Sequence, residues 1–169
     1  MSPSIEIFVE NHADTSEIAE SQWQEWFSRW IAVAGIDLPA AAGYELTLRL
    51  TSDEAIRALN RTYRNIDRPT DVLSFACLED PVVGFQFPES ATLPLYLGDI
   101  IISTETAASQ ADSENLSLAT ELVWLASHGF LHLLGWDHPD DNSLTQMLSL
   151  QAQLLTTIGV LPPQWAITE

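Results

Sequence analysis

Ser127-His128-Gly129-Phe130-Leu131-His132-Leu133-Leu134-Gly135-Trp136-Asp137-His138 decides how this chain is read, because it holds three of the four histidines, spaced His-x3-His-x5-His. Residues i and i+4 of an α-helix share a face, so His128 and His132 can turn two imidazoles toward one ion. Gly135 can take the left-handed conformation that ends a helix, and the turn it opens can bring His138 back to the same point. Three neutral imidazoles from a helix and the following turn leave a fourth position open, as catalytic zinc sites do and closed structural ones do not. The expected cofactor is therefore one divalent metal ion, with zinc the first choice. Cys77 is the only cysteine, which excludes an internal disulfide framework and a thiolate cluster. The ligands must be nitrogen and oxygen.

Working outward, the histidines close a helix that begins near Leu116, with Leu118, Leu122, Leu125 and Leu133 as core contacts. After them Asp140, Asp141 or Ser143 opens a last amphipathic helix carrying Leu144, Met147, Leu148, Leu154, Leu155 and Ile158, which ends near Gly159. Upstream, Leu95–Ser103 is the most hydrophobic strand. Its run Ile100-Ile101-Ile102 does not alternate, as in a strand covered on both faces. Ser103 or Thr104 caps a helix to about Ala111. Further strands are expected at about 4–9, 44–50 and 70–75, and a long loop from Cys77 to Leu93. A helix over about 15–34 carries Trp23, Trp26, Phe27, Trp30 and Ile31 at helical spacing; such a stripe can stack bases, but its amphipathic pattern favours a core-facing side. Thr51 or Ser52 caps another helix running to about Tyr63. At 169 residues these elements make one domain, 1–169, of α/β type.

The formal net charge is −18, with six arginines and no lysine, which argues against loose electrostatic binding to nucleic acid. Four of the arginines, Arg57, Arg61, Arg64 and Arg68, fall within twelve residues, so any phosphate-binding surface must be local. Ile56, Leu59 and Tyr63 mark the apolar side of their helix, and Arg57 and Arg61 the polar side, which can equally be a solvated face. Arg64 sits where Pro69 should be bringing the helix to an end, and the helical wheel leaves its direction open. The apolar runs are too short for a transmembrane span. The N-terminus lacks the basic flank and apolar core of a signal peptide, so a cytoplasmic location follows by default.

Three carboxylates are candidates to steady the imidazoles: Glu121, two turns before His128; Asp137, beside His138; and Asp99, an acid on a hydrophobic strand that needs a partner. His12 lies in a loop far from the others. The spacing His-x3-His-x2-Gly-x2-His also matches the zinc motif of the metzincin peptidases. Those enzymes carry Glu directly after the first histidine, where this chain has Gly129. Without that general base, peptide hydrolysis by the usual route is not expected.

His128-Gly-Phe-Leu-His-Leu-Leu-Gly-Trp-Asp-His138 resembles the signature of the bacterial YbeY-type endoribonucleases, the ribosomal RNA maturation factors, with Trp136 in place of the more usual Tyr. Leu59-Asn-Arg-Thr-Tyr-Arg-Asn-Ile-Asp-Arg-Pro-Thr-Asp-Val-Leu-Ser-Phe75 and Leu97-Gly-Asp-Ile-Ile-Ile-Ser103 resemble two further blocks of that family, in the family order. The resemblance implies a compact α/β (α+β-like) domain with a small mixed sheet packed with helices and a zincin-like metal helix. It implies zinc ligands at His128, His132 and His138, a functional arginine at Arg64, and cleavage of single-stranded RNA. Family roles include maturing ribosomal RNA, notably the small-subunit 3′ end, and ribosome quality control. Ribosomal partners are then expected, and neither DNA nor a membrane. Arg61 and Arg68 are candidates to guide the RNA strand. Two alternatives stand beside this reading: a zinc metallopeptidase-like hydrolase, and a non-catalytic ribosome-assembly factor braced by zinc.

Overall fold

The computed structural model describes residues 4–13, 17–35, 37–78, 92–137 and 139–167. In order, these form β1 (Ile5–Asn11), α1 (Glu20–Ala34), β2 (Gly43–Thr51), α2 (Asp53–Arg64), β3 (Val72–Ala76), β4 (Pro94–Ser103), α3 (Thr104–Glu114), α4 (Leu118–Leu133), α5 (Asp141–Thr157) and α6 (Gln164–Ile167). The sheet has the order β1-β2-β4-β3. β1, β2 and β4 run parallel, while β3 pairs antiparallel with β4. This is the mixed α/β architecture expected. No helix among the described residues is long and apolar enough to cross a membrane.

The two faces of the sheet are covered unequally. Tyr44, Leu46, Leu48 and Leu50 of β2 and Ile100 and Ile102 of β4 point into the main core with Trp23, Phe27 and Trp30 of α1 and Phe130 of α4. The tryptophan stripe is therefore core: Phe27 meets Phe130 edge-on with ring centroids 5.4 Å apart. Trp30 Nε1 donates to the Leu154 carbonyl at 2.9 Å, tying α1 to α5. On the other face Ile101 joins Leu73 and Ile56 of α2 in a second, small cluster, with Leu59 and Phe75 against it. The isoleucine run is thus buried on both sides, with α4 under one face and α2 over the other.

Several boundaries differ from the sequence expectation. α1 starts at Glu20, not near 15, because Ala19 is extended and the Gln22 side chain accepts its N–H at 3.0 Å; residues 14–16 lie outside the described set. α2 is capped by Ser52 and stopped by Asn65, whose left-handed φ of 58° lets Ile66 N–H reach the Asn60 carbonyl. That cap ends the helix four residues before Pro69 acts. α3 continues to Glu114 and stops on Asn115 in the same way, φ 61°. The α6 turn after the two prolines was not foreseen. Most of the expected loop between Cys77 and Leu93 lies outside the described residues.

Candidate functional site

Ser117 starts α4, its hydroxyl accepting from Thr120 N–H at 3.1 Å. Gly135 ends it with φ 99°: Trp136 N–H reaches the Leu131 carbonyl and Gly135 N–H the His132 carbonyl, the paired bonds of a Schellman stop. The helix therefore ends just after His132, with Leu133 its last residue. His128 and His132 meet edge-on, ring centroids 4.5 Å apart, with their Nε2 atoms 3.0 Å from one another. Two nitrogens on one tetrahedral zinc ion, each about 2.0–2.1 Å away, would be roughly 3.3 Å apart. The pair fits such an ion with a shift of a few tenths of an ångström. His138, the expected third ligand, lies outside the described residues.

His128 is held from behind by a residue that sequence reasoning missed. Gln151 on α5 is fully buried, and its Oε1 lies 3.2 Å from His128 Nδ1. Its Nε2 has no partner among the described residues, a state that costs about 1–3 kcal/mol for a buried donor and calls for an explanation. The sequence signal was an amide on an apolar stripe, four residues after Met147 and three before Leu154.

Gly129 explains how closely α4 approaches the sheet. A Cβ there would sit 2.7 Å from Ile100 Cγ2 and 3.0 Å from Ser74 Oγ. The position a peptidase fills with glutamate is thus closed by the sheet itself.

The clustered arginines belong to α2 and the turn after it. α2 packs on the opposite face of the sheet from α4, so the arginine and histidine helices are separated by β3 and β4, and among the described residues β3 pairs only with β4. Arg57 is tied to Asp67 by bonds of 2.9 and 3.3 Å, and this hydrogen bonding holds the Asp67 carboxyl below its usual range. Arg29 and Arg49 are likewise paired, with Glu25 and Glu10. Arg61, Arg64 and Arg68 are exposed and form no ion pair among the described residues. Arg64, whose direction the wheel left open, is the last helical residue before the Asn65 cap.

Two of the candidate carboxylates, Asp99 and Glu121, face other partners. An extra residue in β4 opposite Glu45/Leu46 reverses the strand's side-chain alternation and turns Tyr96 and Asp99 to one face. There the Tyr96 hydroxyl bonds to Asp99 and lies 2.6 Å from Thr47 Oγ1. That face is the one α2 covers, so Asp99 serves a tyrosine where an imidazole was expected. Burial and this carboxylate raise the Tyr96 pKa.

Glu121 is buried, and its neighbours are Glu114 and Asp71. Burial first, then the charge and hydrogen bond of Glu114, then Asp71, push its pKa up to about 7. Asp137 is exposed on the turn after α4.

A family model described as endoribonuclease YbeY matches residues 8–159. A Picosynechococcus protein named endoribonuclease YbeY is 53% identical over 159 residues, covering 93% of this chain and 96% of its own. Its Synechocystis namesake is 52% identical over 147 residues, covering 87% and 82%. The solution structure of TM1509 from Thermotoga maritima superposes with a TM-score of 0.55 at 22% identity, over 90% of this chain and 89% of that one, a likeness of fold.

Proposed function

The chain belongs to the endoribonuclease YbeY family, and on that footing we propose that residues 1–169 form one metal-dependent endoribonuclease domain. It cleaves single-stranded RNA in the cytoplasm, matures ribosomal RNA, notably the small-subunit 3′ end, and serves ribosome quality control alongside ribosomal partners. The observation that carries this reading is the convergence of two imidazole Nε2 atoms at 3.0 Å beside a helix position closed to a glutamate. Zinc held by His128 and His132, with His138 as third ligand, would draw charge from a phosphoryl oxygen and make water more acidic, so hydrolysis needs no carboxylate base.

The chain's own residues supply the rest. Arg64 offers a guanidinium fork for a phosphate, stabilising charge that grows on its oxygens. Arg61 and Arg68 draw the strand in. Tyr63, 64% exposed and edge-on to Phe75 at 5.2 Å, presents a ring on which an unpaired base can stack.

The test is cleavage of a defined single-stranded RNA by zinc-loaded, chelator-stripped and His128→Ala protein, with metal content measured on each. Only the loaded wild type should cut. Equal cutting by His128→Ala at matched purity would sink the proposal, and digestion of a peptide library in place of RNA would point to the peptidase alternative.

A further inference from the structure

We infer that Gln151 is a positioning residue that selects the metal-binding tautomer of His128; this rests on the proposed metal site and extends it to a residue outside the histidine motif. A neutral imidazole carries one proton, on Nδ1 or on Nε2, and only the bare nitrogen can bind a metal ion. His128 Nδ1 faces the Oε1 of Gln151 at 3.2 Å. An amide oxygen only accepts, so this contact places the proton on Nδ1. The lone pair then falls on Nε2, the atom that lies 3.0 Å from His132 Nε2. The bond also fixes the ring's rotation, since Gln151 is fully buried on α5 while His128 is anchored on α4.

The unpartnered Nε2 of Gln151 follows from this arrangement. Turning the amide over would leave Oε1 facing the same surroundings and move the imidazole proton onto Nε2, where it would block the ion. A buried neutral amide is thus retained on an apolar helix stripe where a leucine would pack without an orphan donor. Its counterpart in characterised zinc sites is the carboxylate or carbonyl behind a ligating histidine.

The experiment uses full-length apo protein, with zinc affinity measured by competition against a chromophoric chelator. His128 is observed by long-range ¹H–¹⁵N correlation. Wild type should show the Nδ1–H tautomer before metal is added. Gln151→Leu should keep its melting temperature near or above wild type, mix the two tautomers and bind zinc roughly 10–100-fold more weakly. Gln151→Glu, which keeps an acceptor at the same place, should restore both the tautomer and the affinity.

Finding the Nε2–H tautomer in wild type, or zinc affinities within twofold across all three proteins, would overturn the inference. Wild type that takes up no zinc would overturn it together with the metal site. Normal zinc binding and tautomer behaviour without RNA cleavage would uphold the role of Gln151 and remove the nuclease reading alone.

Discussion

Helices α4 and α2 carry the two halves of the proposed chemistry, and they are built on opposite terms. α4 lies in the main core with eleven of its sixteen residues buried, its histidine backed by Gln151 and its backbone pressed to β4 at Gly129. α2 lies over the other face, buries only Ile56 and Asn60, and carries its arginines into solvent. The difference follows from what each group must bind. A metal ion needs nitrogens fixed to within a few tenths of an ångström, which only packed side chains with hydrogen-bonded partners supply. A phosphate accepts a guanidinium from many directions, so long charged side chains on an exposed helix suffice.

The strongest way to break this contrast is to deny α4 its close approach. Gly129→Glu would drive a carboxylate into Ile100 and Ser74, combining overpacking with an unpaired buried charge. A loss of more than about 4 kcal/mol is expected, seen as loss of cooperative urea unfolding. Retained stability would mean that the helix can lift off the sheet.

Arg64→Ala should separate the two helices functionally. Cleavage of single-stranded RNA should fall roughly 10²–10³-fold, as when one transition-state donor is removed, while zinc content and melting temperature stay at wild-type values. A parallel fall in zinc content would mean that the two helices are not independent.

Folded Glu121 holds its proton up to about 7, above the ordinary 4.5, so between those values the folded state binds a proton that the unfolded chain releases. Its contribution is complete below pH 4.5 and is lost as pH rises through 7. Glu121→Gln should therefore be more stable than wild type at pH 8, by roughly 2–3 kcal/mol, and the two should converge near pH 4.5. Urea titrations at both pH values would show it, and an equal difference at both would assign the effect to packing.

The smallest effect is expected on the arginine side. Arg68→Ala should weaken RNA binding modestly and uniformly across sequences, lowering the slope of log affinity against log salt by about 0.7, the value for one contact to a single strand. An unchanged slope would remove Arg68 from the path of the strand.

Much of the fold was readable along the chain because its signals are local. The Ile100–Ile102 run, the tryptophan stripe of α1 and the capping serines each reflect contacts within a few residues or a period set by one element. Asn65 and Asn115 show the limit: each stops a helix by adopting a left-handed conformation, which asparagine tolerates but does not demand. Asp99 shows it again, since one extra residue in β4 turned its side chain to the face away from α4.

By itself, the sequence determined the histidine register, the missing glutamate at 129, the clustering of arginines at 57–68 and the family. All are properties of order and spacing. Tertiary structure alone decided that α2 and α4 would take opposite faces of the sheet, that position 129 has no room for a side chain, and that Gln151 would stand behind His128. Gln151 is twenty-three residues from His128 and on another helix. Its role comes from how α5 packs on α4, and no local pattern encodes that meeting.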